Sequence, residues 1–253
     1  MNKRKFIFLI MILILSCKNN TNYSKPNNEN PIEDQRNIDS ILTYETLLFE
    51  SQTNFIQNNV VFDKKGATFE RTESNPSFLE VKDLTLDLSK PFNVSFSYKT
   101  FSDDGSKPQA FLSFQDKFSS PSSIPFLIYT ASNRITAVYD KQVLWAENYQ
   151  EDNGPSREFY DSYVLDKDVF YFVSVNFTGT NLDIFVNSEL YASFTAITPH
   201  KRLFSKLILG GVVRDKSNHF IPFDGTIHGV KIFNDALTEK EIVSLYNDQP
   251  IIE

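Results

Sequence analysis

Along most of the chain, apolar and polar residues alternate over short stretches. The clearest case is Phe92-Asn93-Val94-Ser95-Phe96-Ser97-Tyr98, which puts aromatic and valine side chains on one face of a strand and Asn or Ser on the other. Ala110 to Phe114, Phe126 to Tyr129 and Ile135 to Tyr139 extend the series. Phe170 to Phe177 is expected to pair with Leu182 to Val186 through a Thr178-Gly179-Thr180-Asn181 turn. Leu190 to Phe194 follows a tight Asn187-Ser188-Glu189 turn, and Leu207 to Leu209 and Gly225 to Phe233 complete the set. Many short strands separated by turn residues, without strand–helix alternation, predict a sandwich or barrel. Ile38 to Phe49 fits a helix face or a strand equally well.

One helix is signalled near the end. Thr238-Glu239-Lys240-Glu241 is a capping box, in which the Thr hydroxyl accepts from the Glu241 amide and the Glu241 carboxylate reaches back. Leu237 and Ile242 occupy the two positions of a hydrophobic staple, and Leu245 continues the apolar face.

The first residues have another grammar. Lys3-Arg4-Lys5 precede an apolar run from Phe6 to Leu15, and Ile14-Leu15-Ser16-Cys17 resembles a lipobox. The run is shorter than the roughly 20 apolar residues a membrane span requires. Residues 1–16 are therefore expected to be a cleaved lipoprotein signal peptide and Cys17 the lipidated residue, anchoring the protein in the bacterial cell envelope at the outer membrane. Cys17 is the only cysteine, so no internal disulfide forms. Residues 17–37, rich in Asn, Lys, Pro and Glu, bury too little apolar surface to fold and are expected to form a tether. Residues 38–253 are expected to form one all-β domain.

Charge narrows the partners. The chain carries −7, and removing the three positive charges of the leader takes it to about −10. No Lys/Arg cluster appears in the remainder, so nucleic acid is disfavoured and a neutral glycan is an easier partner than a polyanion.

Several segments resemble a known family. Tyr171 to Phe177 followed by Leu182 to Leu190 looks like the paired central strands of the LamG-like, concanavalin A-like lectin/glucanase superfamily. Leu207-Ile208-Leu209-Gly210-Gly211 is similar to its next strand. Phe223-Asp224-Gly225-Thr226-Ile227-His228-Gly229-Val230-Lys231-Ile232-Phe233, with Ala236-Leu237-Thr238 and Glu241-Ile242, resembles its C-terminal signature. The resemblance covers roughly residues 60–248 and implies a jelly-roll sandwich of two antiparallel sheets with a short C-terminal helix. It also implies turn roles for Gly225 and Asn187 and core positions for Ile227, Val230, Leu237 and Ile242. Many relatives carry Asp where this chain has His228, and in several that Asp helps hold calcium. Imidazole is a poor ligand for a hard ion, so the calcium site is not carried over at His228 and no cofactor is expected, with structural calcium elsewhere left open.

Catalytic signals are thin. The glucanase pattern Glu-x-Asp-x-x-Glu is absent. Arg71-Thr72-Glu73 matches one strand of the alginate-lyase-type pattern and nothing matches the others. His200, His219 and His228 have no metal-ligand spacing, and His219 is expected on a solvated rim loop. Gly-x-Ser-x-Gly is missing. Asp103-Asp104 before Gly105 is read as a hairpin turn.

A binding segment is easier to find. Lys141 to Tyr163 interrupts the strand series with Trp145 (the sole Trp), Tyr149, Tyr160 and Tyr163, and with Asp152, Asn153 and Arg157 among them. Aromatic rings stack on sugar faces, and the planar polar groups hydrogen-bond hydroxyls. The same residues also fit a packed Trp145 and a Glu151-Asp152-Asn153-Gly154 turn. Trp145, Tyr149, Asp152, Asn153, Arg157 and Tyr160 are the candidate ligand-binding residues. The expected function is non-catalytic carbohydrate binding, the alternatives being a protein-interaction or adhesion module that meets an envelope protein, or a divergent glycan-degrading enzyme.

Overall fold

The structure is a computed structural model that describes residues 42–43, 55–64, 66–71, 77–81, 84, 86–102, 107–115, 124–131, 134–139, 142–144, 166–194, 203–204, 206–215 and 218–249. In chain order the strands are β1 (Leu42–Thr43), β2 (Phe55–Asn58), β3 (Val60–Asp63), β4 (Gly66–Phe69), β5 (Phe78–Val81), β6 (Leu86–Asp87), β7 (Phe92–Thr100), β8 (Gln109–Phe114), β9 (Phe126–Ala131) and β10 (Arg134–Tyr139). They continue with β11 (Gln142–Leu144), β12 (Tyr171–Phe177), β13 (Leu182–Val186), β14 (Glu189–Phe194), β15 (Leu203–Phe204), β16 (Leu207–Leu209), β17 (Gly211–Asp215), β18 (Asn218–Pro222) and β19 (Gly225–Phe233). One helix, α1 (Glu239–Asn247), follows. Among the described residues no helix is long and apolar enough to cross a membrane.

Two antiparallel sheets carry the fold. An eight-stranded sheet runs β14-β13-β12-β7-β19-β4-β3, with β1 also paired to β19, and a seven-stranded sheet runs β11-β10-β9-β8-β16-β5-β2. The expected strands are present, extended by a residue or two at several ends. Asn187 and Ser188 take positive φ (50° and 68°) in the expected β13–β14 turn. The Asp103-Asp104 segment lies outside the described residues, but the hairpin expected there is corrected by the topology: β7 and β8 belong to different sheets, so the chain crosses between them. His219 is not on a rim loop either. It sits in β18, opposite Val213 of β17, because the apolar residues around it form a hairpin that sequence periodicity left unassigned.

The aromatic face of β7 builds the core between the sheets. Phe92 meets Phe126 edge-on at 5.3 Å, Tyr98 lies 4.1 Å from Phe111, and Tyr139 lies 5.0 Å from Phe177. Each contact joins one sheet to the other, so burial of large rings is the main force closing the sandwich. Ile227 and Val230 both point into this core although three residues apart. Strict alternation forbids that spacing, and a bulge between His228 and Lys231 permits it, with Gly229 at φ 57° taking up the extra residue. Gly210 (φ 83°) leaves room for Phe69, whose ring would lie 2.0 Å from an added Cβ.

The other face of β7 is equally buried. Asn93, Ser95 and Ser97 are at most 5% exposed, beneath the C-terminal segment. Asn176 on neighbouring β12 is the hinge of this arrangement. Its amide donates to the Leu237 carbonyl (3.0 Å) and its carbonyl accepts from the Leu237 N–H (2.8 Å), imitating a backbone pair. Asn93 donates to Ser174 (2.8 Å) and to Asn176 (3.3 Å), and Ser95 donates to Asn93 (2.7 Å). Ser97 donates to Gln249 (2.9 Å). Beside this network Phe172, Phe185, Phe233, Leu237 and Ile242 form an apolar cluster. The expected capping box is formed, with Thr238 accepting from Glu241 and donating its N–H to the Glu241 carboxylate.

Three tyrosines meet inside the sandwich. Burial holds the Tyr98 hydroxyl well above its ordinary pKa, with Tyr171 and Tyr191 adding to the rise. Burial raises Tyr191 to about 12, opposed by the Arg134 guanidinium and the Ile135 backbone on the facing sheet. The Tyr98 hydroxyl has no hydrogen-bond partner among the described residues.

Two outcomes follow. Asn176→Ala strands the Leu237 backbone groups and removes one of the two acceptors of the Asn93 amide, and should cost about 2–4 kcal/mol in chemical denaturation, well beyond a surface substitution. For Tyr98 and Tyr191, the folded state retains protons that the unfolded state loses. Stability is therefore complete below the ordinary tyrosine pKa and declines as pH rises toward about 12. Tyr98→Phe should flatten that alkaline limb without loss of stability at neutral pH, read from denaturation midpoints across the pH range.

Candidate functional site

The segment singled out by sequence joins the edge of one sheet to the interior of the other. It leaves from β11, at the end of the seven-stranded sheet, and returns at Asp166 to enter β12, the third strand of the eight-stranded sheet. Gln142–Leu144 forms β11, paired with β10. This corrects the expected start at Lys141, since the connection begins only after Leu144. Trp145, Tyr149, Asp152, Asn153, Arg157 and Tyr160 lie outside the described residues, as do Tyr163, Cys17 and His200.

The returning arm is described and well anchored. The Asp166 N–H donates to the Tyr171 hydroxyl (3.0 Å), and Asp168, at φ 63°, donates its N–H to the Thr100 carbonyl (2.9 Å). These bonds fix the arm against the end of β7, where the chain leaves the eight-stranded sheet. Gln109, 5% exposed at the start of β8, spans the gap between the sheets. It donates to the Thr100 hydroxyl (3.1 Å) and accepts from the Asp224 N–H (3.0 Å). The Phe101 N–H donates to the Asp224 carbonyl (3.0 Å). The starts of β8, β12 and β19 and the end of β7 are thus stitched into one rim.

On this rim stands a residue that sequence reading missed. The Lys99 ammonium lies 5.3 Å from the centroid of Phe101 and 5.2 Å from that of Phe170, clasped by two aromatic faces. Phe170 belongs to the returning arm, 71 positions from Lys99, so no local pattern could pair them.

Both sheet faces beside the rim are occupied over much of their extent. On the outer face of the eight-stranded sheet, the Asn93 and Asn176 network lies beneath the C-terminal segment. On the seven-stranded sheet, outward-facing Ile208, Ser113, Leu127 and Thr136 are at most 2% exposed. Ala110, Leu127, Tyr129 and Val138 there pack with Ile124 and with Val212 and Ile221 of the β17–β18 hairpin. His228 lies 4% exposed on the outer face of the eight-stranded sheet, opposite Ser97. Among the described residues no group of three or more His, Cys, Asp or Glu is placed to hold a metal ion.

Comparison with known proteins places this architecture. A family model described as the concanavalin A-like lectin/glucanases superfamily matches residues 74–243. No curated protein matches. Among solved structures, the chain is similar to the receptor binding domain of botulinum neurotoxin C/D mosaic serotype, at 14% identity and a TM-score of 0.54, over 77% of this chain and 46% of that one. It is also similar to the botulinum neurotoxin serotype D ligand binding domain in complex with N-acetylneuraminic acid (15%, 0.54, 77% and 46%). A third is the binding domain of botulinum neurotoxin DC in complex with rat synaptotagmin II (11%, 0.55, 78% and 47%). The chain spans just under half the length of those domains, and at such identities the likeness is one of fold. The family match extends over well more than half of the sequence and takes in β5 to β19 and the start of α1, so this chain belongs to the concanavalin A-like lectin/glucanases superfamily.

Proposed function

We propose that this protein is a non-catalytic, lectin-like lipoprotein of the bacterial cell envelope that binds a glycan through the connection between β11 and β12. Superfamily membership supplies a scaffold on which binding sites are grafted, not a chemistry. The observation that carries the reading is the placement of that connection. It is the segment that holds Trp145, Tyr149, Asp152, Asn153, Arg157 and Tyr160, and it returns to the rim where Lys99, Phe101 and Phe170 meet. With the sheet faces largely covered, the ends of the sandwich are the natural place for a ligand. Aromatic rings for the apolar face of a pyranose, with amide, carboxylate and guanidinium groups for its hydroxyls, suit a sugar better than a flat protein surface.

The leader supports a place at the membrane. In this reading residues 1–16 are removed, Cys17 is lipidated, and residues 17–37 form a flexible tether with a typical reach of about 25 Å at the outer membrane. That distance suits capture or presentation of a glycan close to the bilayer.

Two experiments test these parts separately. On a glycan array, the purified protein should bind a restricted set of glycans with and without calcium, and Trp145→Ala should lose that binding while keeping its circular dichroism spectrum. Absence of binding to every glycan would reject the lectin reading and direct the search to protein partners by pull-down from envelope extracts. For the anchor, Cys17→Ser should abolish incorporation of labelled fatty acid and move the protein out of the membrane fraction. Unchanged membrane retention without label would refute lipidation.

A further inference from the structure

We infer that the rim carries an anion subsite centred on Lys99, suited to the single carboxylate of an acidic sugar at the end of an otherwise neutral glycan. This rests on the glycan-binding reading above and names the class of ligand. Lys99 is half-buried, held between Phe101 and Phe170, and forms no ion pair among the described residues. Aromatic faces steady an ammonium without consuming its three N–H donors, so the charge stays available to an acceptor. On the neighbouring strands of the same face, Lys99 stands opposite Thr226 and Thr226 opposite Thr68, whose hydroxyls are 3.0 Å apart.

The surroundings fit a ring bearing one negative charge. Two phenyl rings beside a cation offer stacking for the C–H face of a pyranose next to a partner for its carboxylate. The chain's net charge of −7 repels a polyanion, but one carboxylate meeting one fixed lysine at short range is compatible with it. The Gln109, Thr100 and Asp224 bonds hold the rim in place before any ligand arrives.

The test uses matched pairs, sialyllactose against lactose and glucuronic-acid-ended against glucose-ended oligosaccharides, titrated against the full chain. The acid-ended member should bind at least about tenfold more tightly at low salt, a preference that shrinks as salt rises. Lys99→Gln should erase the preference, and Lys99→Arg should keep part of it. Equal binding of both members, unaffected by salt or by Lys99→Gln but lost in Trp145→Ala, would overturn the subsite and leave the lectin reading standing. Binding of neither member would overturn both. Should Lys99→Gln misfold by circular dichroism, the wild-type salt dependence decides, and a salt-independent preference overturns the proposal.

Discussion

Strand β7 is buried on both faces, and the packing of the β domain follows from how two unlike faces are satisfied. Its inward face is apolar. Phe92, Phe96 and Tyr98 meet rings from the opposite sheet, and non-directional burial suffices to hold them. Its outward face is polar, and polar groups tolerate burial only with hydrogen bonds. Asn93 donates to Ser174 and Asn176, Ser95 to Ser174 and Ser97 to Gln249, and Asn176 passes the constraint on to Leu237 at the entrance to α1. The helix is thereby fixed to the sheet by direction as well as by apolar contact. A hydrophobic strand face would have allowed it to slide.

The same strand decides what lies at the rim. Where β7 ends, Thr100 receives Gln109 from the other sheet and the N–H of Asp168 from the returning arm. Lys99, one residue earlier, points to the outer face just beyond the polar network closed by Ser97 and Gln249. Among the described residues that cation meets two aromatic rings and no carboxylate. The interior of the sandwich is devoted to stability, its outer faces largely to covering elements, and the rim to whatever the protein meets.

Much of the scaffold was legible in the chain. Alternation such as Phe92 to Tyr98 marks a strand because side chains on a pleated backbone point to opposite faces, and Thr238 to Glu241 marks a helix start because the capping bonds are local. The β17–β18 hairpin escaped, since its register shifts disturb the two-residue period. Asp103-Asp104 was read as a hairpin because turn residues indicate that the chain reverses but not which sheet it joins next. The strands around it each had a local pattern, yet the order of strands rests on contacts between residues far apart.

For the site, composition alone drew attention to Trp145 and its neighbours, because aromatic and amide residues concentrated in one connection are a local property. The clasp of Lys99 by Phe101 and Phe170 and the reach of Gln109 between sheets had no such signature. Nor did the burial of Asn93 and Asn176, since polar residues in an alternating strand look the same whether water or a helix covers them. The sequence by itself determined which segments become strands, which face of each is apolar and where the helix begins, for these follow from backbone geometry within a few residues. Only the tertiary structure decided which polar face is buried and which cation stands at the rim, because both depend on groups brought together from distant parts of the chain.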